Sequence, residues 1–112
     1  MPYIIRVGFK LKGGGFDVSK LQALAEDESV YGEMELATGV TDSSISFGPV
    51  TTADILYIES DQQITFRQAA ADTGSPIDAN RFMLLFGTSA TAVLLSNASG
   101  STANVKYLIG GV

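Results

Sequence analysis

Residues 53–67, Ala53-Asp-Ile-Leu-Tyr-Ile-Glu-Ser-Asp-Gln-Gln-Ile-Thr-Phe-Arg67, are the stretch of sequence that decides the fold class. An unbroken apolar run at 55–58 is followed by a polar turn at 60–63. Apolar and polar side chains then alternate from Ile64 onward. Two such runs around a polar turn are typical of two β-strands joined as a hairpin. The stretch therefore predicts antiparallel β-structure.

Similar patterns lie on both sides of this stretch. Alternation over residues 3–12 places five apolar side chains on one side of a predicted strand: Tyr3, Ile5, Val7, Phe9 and Leu11. We interpret this strand as an edge strand that can pair with another chain. Further strands are predicted at 30–37, 44–47, 81–86, 91–96 and 103–109.

One short helix is predicted at residues 19–25. Ser19 is a candidate cap, and Gln22 stands three residues later, as in a capping box. Leu21 and Leu24 lie on one apolar stripe. Together with about eight short strands at regular spacing, the pattern predicts a single all-β domain over residues 1–112. We expect an antiparallel β-sandwich, jelly-roll-like, or a small barrel.

Three continuous apolar runs lack the polar face of a half-exposed strand, namely 55–58, 82–86 and 92–95. Their second face is covered either by a loop or helix of the same chain or by another subunit. Only 17% of the residues are charged, against about 25% in an ordinary globular domain, and the mean hydropathy is +0.23. We therefore favour a homo-oligomer. The candidate core or subunit-contact residues are Phe82, Leu84, Phe86, Val93 and Leu95.

The composition excludes the usual catalytic chemistries. The chain contains no Cys and no His, which removes disulfides, thiolate nucleophiles, the Ser-His and Cys-His pairings and the commonest metal ligand. We expect no enzymatic activity, no cofactor and no metal site. The net charge of −5 without a basic patch predicts no nucleic-acid binding. No apolar run approaches the roughly 18 residues of a membrane span, so we expect no membrane partner.

Several polar residues have both a functional and a structural interpretation. Glu59 with Asp61, and Asp72 with Asp78, are the candidate carboxylate pairs, and the three aspartates are candidate calcium ligands. Each lies in or beside a predicted turn, where Asp commonly accepts backbone hydrogen bonds. Asn97 begins an Asn-Ala-Ser glycosylation pattern, and it too lies in a predicted turn. We favour the structural interpretation for all of them.

Two stretches of the second half resemble small virion structural proteins of tailed bacteriophages. They are Asp54-Ile-Leu-Tyr-Ile-Glu-Ser-Asp-Gln-Gln-Ile-Thr-Phe-Arg67 and Phe82-Met-Leu-Leu-Phe-Gly-Thr-Ser-Ala-Thr-Ala-Val-Leu-Leu-Ser-Asn-Ala-Ser-Gly-Ser-Thr-Ala-Asn-Val-Lys-Tyr-Leu-Ile-Gly110. The resemblance covers roughly residues 53–112. It implies a β-sandwich used as scaffolding, self-association, commonly as a trimer, and binding to a capsid or tail surface. It implies no catalytic residues.

The resemblance leads us to expect a capsid decoration, or cement, protein. Such a protein resides in the virion, self-associates and binds the major capsid protein or another virion component. A tail, neck or fibre component is the alternative within the same class. A carbohydrate- or ligand-binding β-sandwich module is the alternative from another class, although the absence of Trp and the scattered Tyr residues count against it.

Overall fold

A computed structural model describes residues 3–69 and 72–112. Ten strands make up its regular structure, and the described residues contain no helix. None of them therefore belongs to a helix long and apolar enough to cross a membrane. The strands are β1 (Tyr3–Gly13), β2 (Phe16–Glu26), β3 (Glu28–Leu36), β4 (Ser43–Ser44), β5 (Ala53–Ser60), β6 (Ile64–Arg67), β7 (Ser75–Ile77), β8 (Arg81–Ala90), β9 (Leu94–Ser96) and β10 (Ala103–Gly111).

The strands form one hairpin and two four-stranded sheets, all with antiparallel pairing. β1 and β2 pair along their whole length, from Tyr3 opposite Glu26 to Gly13 opposite Phe16. We call this hairpin the arm and residues 27–112 the body. In the body, sheet I has the order β3-β10-β5-β8 and sheet II has the order β4-β9-β6-β7. The all-β, antiparallel prediction is confirmed.

The pairing of the body strands is nested. β3 pairs with β10, β4 with β9, β5 with β8, and β6 with β7. The chain therefore runs out through β3, β4, β5 and β6 and returns antiparallel through β7, β8, β9 and β10, like a long hairpin that turns between β6 and β7. Successive strand pairs along this long hairpin alternate between sheet I and sheet II. As a result, the two central strands of each sheet, β10 and β5 in sheet I and β9 and β6 in sheet II, are far apart in the sequence.

One apolar core lies between the two sheets. Its buried side chains come from both sheets and from the loops beside them: Leu36, Ile45, Val50, Ala53, Leu56, Ile58, Ile64, Phe66, Ile77, Ala90, Val93, Leu95, Ala103, Val105 and Ile109. No described side chain of the arm belongs to this cluster. The arm is therefore held by other contacts.

The helix predicted at residues 19–25 is wrong, because these residues lie within β2. Leu, Gln and Ala favour a helix locally, but seven residues are too few to hold one without docking. Pairing with β1 instead gives the segment a continuous ladder of backbone partners. Tertiary pairing overrides local propensity here.

The hairpin predicted for residues 53–67 is also wrong in its pairing. Both strands and the turn between them exist, but β5 belongs to sheet I and β6 to sheet II. The chain crosses from one sheet to the other at 61–63, where the Ser60 hydroxyl accepts a hydrogen bond from the Gln62 amide at 3.2 Å. The loop predicted at 69–80 contains β7, a short strand at the edge of sheet II.

An irregularity in β5 shapes the site described next. The register places Gly110 opposite Ile55 and Gly111 opposite Ala53, so Asp54 is an extra, unpaired residue. Such a bulge turns the residues that follow it to the other side of the strand. Ala53 therefore joins the core, whereas Ile55 is buried on the opposite face of sheet I.

Candidate interaction face

The outer face of sheet I is the face turned away from the core. Side chains alternate along each strand, so residues that lie opposite one another across the four strands share a row on this face. The first row is Ser29, Gly110, Ile55 and Phe86, and the second is Tyr31, Leu108, Tyr57 and Leu84. The third is Glu33, Lys106, Glu59 and Phe82, and the fourth is Glu35, Asn104 and Asp61.

The second row and the phenylalanines of β8 make an apolar surface that is open to solvent. Tyr31 is 80% exposed, Phe82 64% and Phe86 45%. The ring of Tyr57 stacks on the ring of Phe82 with centroids 5.8 Å apart and planes 29° apart. Contiguous exposed apolar surface on a sheet marks an interaction site more often than a free surface.

The third and fourth rows form an acidic groove of about 530 Å³ beside the apolar surface. Glu33, Glu35, Glu59 and Asp61 contribute carboxylates to its lining. Lys106 is the one basic side chain among the described residues of the lining, and its Nζ lies 3.8 Å from Glu33 Oε1. The groove therefore presents an excess of negative charge.

Two groups of this face have shifted pKa values. The Asn104 side chain and backbone amide each donate to the Asp61 carboxylate at 2.8 Å, which lowers the pKa of Asp61. Burial, and then the neighbouring Glu59 carboxylate, raise the pKa of Tyr57. Near neutral pH the face therefore carries an ionised Asp61 and a neutral Tyr57 that acts through its ring and its hydroxyl.

The arm covers Gly110 and Ile55 of the first row and leaves Phe86 and Tyr31 exposed. A Cβ atom built on Gly110 would lie 2.6 Å from Ile5 Cδ1 and 3.2 Å from Glu26 Cγ, so the arm rests directly on this glycine. Farther along β1 a cleft of about 320 Å³ remains between the arm and sheet I. Val7 and Phe9 of the arm line this cleft together with Leu108, Tyr57 and Leu84 of the second row.

A pair of carboxyl groups lies where the arm meets the body. Glu26 is only 6% exposed, and its side chain shares a hydrogen bond with Asp54, the bulged residue of β5. Burial, this hydrogen bond and the charges of Asp54 and Asp27 raise the pKa of Glu26 to about 7. The arm is therefore anchored by a carboxyl group that is largely protonated below neutral pH.

The five predicted core or contact residues separate into two sets. Val93 and Leu95 are fully buried in the core between the sheets. Phe82, Leu84 and Phe86 lie together on the outer face of sheet I, with both phenylalanine rings exposed.

The predicted edge strand is β1, which among the described strands pairs with β2 alone. Ile5, Val7, Phe9 and Leu11 lie on the side of the arm that faces sheet I. Ile5 and Val7 are half-buried, Phe9 and Leu11 are exposed, and the side chain of Tyr3 lies outside the described part of the structure.

Two of the acidic residues considered for catalysis or calcium, Asp72 and Asp78, accept hydrogen bonds in the loops beside β7. Asp72 Oδ2 accepts from the Gln68 and Ala69 amides at 3.0 Å, and Asp78 accepts from the Gln63 side chain at 3.2 Å. No group of three or more Asp or Glu side chains among the described residues is arranged to hold a metal ion.

Asn97, the first residue of the glycosylation pattern, is 1% exposed. Its side chain donates to the carbonyls of Leu36 and Ser101, both at 2.8 Å, and accepts from the Ser99 amide at 3.0 Å. Buried polar side chains with all their partners in place are structural. In the folded chain Asn97 therefore stabilises the turn and is not exposed for modification.

Sequence reasoning missed Glu26, Tyr31, Tyr57 and Leu108 as parts of this face. The apolar run at 55–58 was a usable signal for Tyr57, because it lacked a polar face. The charge distribution was a second signal. When the two halves of the chain are compared, basic and acidic residues are mixed in both. When the chain is divided near residue 26, between arm and body, the arm has an excess of basic residues and the body an excess of acidic residues.

No protein-family model matches this chain, and no curated protein is significantly similar to it.

Proposed function

We propose that the protein is a structural virion component, a capsid decoration or cement protein that self-associates and binds the capsid surface. The observation that supports this most is the exposed apolar surface on sheet I beside an arm that lies outside the core. In a chain with so few charged residues, a surface of this kind is suited to permanent cover by other subunits. The phage resemblance of residues 53–112 supplies the class of assembly.

The body belongs in this proposal as a jelly-roll β-sandwich. The nested pairing of β3 with β10 through β6 with β7, alternating between two sheets around one core, supports that assignment. Jelly rolls recur in viral capsid proteins and in lectins. A two-sheet body with one packed core keeps the outer face of sheet I in a fixed shape. Such a face is suited to a protein that binds across the boundaries between capsid subunits.

The mechanism is adhesion. A protein that binds the assembled capsid and not its free subunits shifts the assembly equilibrium towards the capsid. The outer face of sheet I and the arm supply the contact surfaces, and the core keeps them in place. The function requires no catalytic group.

Co-sedimentation with purified capsids tests the proposal. We expect saturable binding at a fixed copy number per capsid. The variant Phe82→Ser/Phe86→Ser is expected to bind about tenfold more weakly, because it removes two exposed aromatic contacts. Val112→Ser is the matched control, since Val112 is also exposed and apolar but lies outside the four rows.

The results also separate the alternatives. Sedimentation with isolated tails and not with capsids would replace the decoration assignment with a tail, neck or fibre component. Absence of binding to any virion part would overturn the proposal.

A carbohydrate-binding module is the second candidate, and the acidic groove next to Tyr57 is the observation that favours it. Sugar sites combine an aromatic face with polar side chains that accept and donate hydrogen bonds. Asp61 and Asn104 already bind each other, which leaves less of the groove free for a ligand. Glycan binding by a protein that stays monomeric at high concentration would favour this candidate.

A further inference from the structure

The arm and the body carry opposite net charges. The arm holds four basic residues, Arg6, Lys10, Lys12 and Lys20, against two acidic residues, so its net charge is +2. The body holds three basic residues against ten acidic residues, so its net charge is −7. All four basic side chains of the arm are exposed. A basic segment and an acidic domain in one chain are complementary to each other in a second copy.

The free end of the arm also exposes apolar side chains. Phe9 is 43% exposed and Leu11 54%, both on the side of the arm that faces sheet I. On the opposite side, Leu21 is 78% exposed. An isolated two-stranded hairpin is at best marginally stable in water. A second protein surface against this half of the arm would remove that exposure and stabilise the hairpin.

The outer face of sheet I has matching chemistry. Its second row is apolar, and its third and fourth rows are acidic. The arm tip likewise combines apolar side chains with lysines. Lys20 lies opposite Phe9 on the side that faces the sheet, whereas Lys10 and Lys12 lie on the other side of the arm, with Leu21. The protein's own arm lies over Tyr57, Leu84 and Leu108 of the second row across an open cleft, whereas Tyr31 of the same row is exposed.

We propose that the arm tip of one copy, residues 9–20, docks on the outer face of sheet I of a second copy. Phe9 and Leu11 pack on the second row, and Lys20 lies against the carboxylates of Glu33 and Glu59. Lys10 and Lys12 add positive charge from the other side of the arm. This inference rests on the self-association in the proposed function and names the surfaces that form it. Because arm and face are different surfaces, the contact is head-to-tail and builds a closed ring, such as a trimer, or an open chain.

Charge reversal tests this arrangement by sedimentation velocity of the full chain at low ionic strength. We expect the wild-type protein to associate and to dissociate as salt is raised. The arm variant Lys10→Glu/Lys20→Glu and the face variant Glu33→Lys/Glu59→Lys are each expected to weaken association at least about tenfold, because each brings like charges together. The chain that carries all four changes has an acidic arm and a basic face, and we expect it to associate again.

Asp78→Lys is the matched control. It changes an exposed carboxylate that follows β7 of sheet II and accepts a hydrogen bond from the Gln63 side chain at 3.2 Å. We expect this variant to associate as the wild-type protein does. Far-ultraviolet circular dichroism of every variant shows whether the fold is retained.

The outcomes distinguish this inference from the proposed function. A wild-type protein that stays monomeric at all concentrations yet binds capsids would overturn the arm-to-face contact and leave the capsid assignment intact. Loss of association in both variants without recovery in the four-residue variant would also overturn it, because the arm would then bind another surface. Recovery of association in a protein that never binds capsids would support the contact and remove the capsid assignment.

Discussion

Glu26 is the buried carboxyl group at the base of the arm, where it lies against Gly110 and shares a hydrogen bond with Asp54. A carboxyl group in such a place is stabilised in its neutral form, because burial removes water and the second carboxylate repels a charge. The β-bulge at Asp54 makes this meeting possible by leaving one residue of β5 without a partner in the ladder. The β-bulge in β5 thus brings the two carboxyl groups together at the base of the arm, and their proximity makes the docking of the arm sensitive to pH.

The attachment of the arm is expected to depend on pH. The pKa of Glu26 rises from 4.5 to about 7 when the arm is docked, so between these values the docked arm holds a proton that the undocked arm releases. The stabilisation is complete below pH 4.5 and is lost as the pH rises through about 7. The size of the shift corresponds to a few kcal/mol at most. Amide hydrogen exchange of Ile5 and Leu24, corrected for intrinsic exchange rates, measures the stability of the docked arm at each pH.

Glu26→Gln isolates the effect, because the amide keeps the shape of the side chain without its titration. We expect the variant to lose most of the difference in arm protection between pH 5 and pH 8. Glu33→Gln, on an exposed carboxylate of β3, is the control and retains that difference. Parallel pH dependence in the wild-type protein and Glu26→Gln would contradict the assignment.

β10 is the element on which sheet I depends. It is hydrogen bonded to β3 on one side and to β5 on the other, and it ends in the glycines that meet the arm and the bulge. Gly110 leaves room for Ile5 and Glu26 of the arm, and Gly111 leaves room for the backbone of Thr52, whose carbonyl oxygen would clash with a Cβ atom at that position. The small residues at the end of this strand are therefore required by close packing and are not a flexible tail.

Gly111→Ala is expected to lower the free energy of unfolding by about 3 kcal/mol or more, because the added methyl group meets backbone that has no room to move. Urea denaturation measures this change. Gly13→Ala in β1 is the matched control, since its Cβ would meet nothing within 4 Å, and its cost is expected to be small. Equal effects of the two substitutions would show that the close approach at Gly111 does not limit stability.

At the scale of the whole molecule, the arm and the body contribute separately to stability. The core cluster draws on strands of both sheets but on no described arm residue. The arm adds the cover over Ile55 and Gly110 and its own ladder of backbone hydrogen bonds. The body therefore holds the fold, and the arm is available for a contact outside it.

Removal of residues 1–26 is expected to leave the body folded, with a cooperative thermal transition a few degrees lower because Ile55 becomes exposed. Circular dichroism during heating measures this. Leu56→Ala in the intact chain is the contrasting variant, and it is expected to cost about 2–5 kcal/mol because Leu56 is fully buried in the core. An unfolded truncated chain would show that the arm is part of the folding unit.

The sequence by itself determined the class of the fold and most of its strands. Seven of the eight predicted strands coincide closely with strands of the structure, because a period of two in apolar residues depends only on neighbours along the chain. The strand predicted at 44–47 shares only Ser44 with β4. The composition likewise made the usual His- and Cys-based chemistries impossible. These conclusions needed no knowledge of which segments meet.

Only the tertiary structure decided which strands pair and which faces they bury. Residues 19–25 became a strand because β1 offers them a ladder, and β5 and β6 separated into different sheets. Phe82 and Leu95 looked equivalent in sequence, yet one is exposed on the outer face and the other is buried in the core. The physical reason is that burial of a strand face depends on its register with partners far along the chain, and no local pattern encodes those partners.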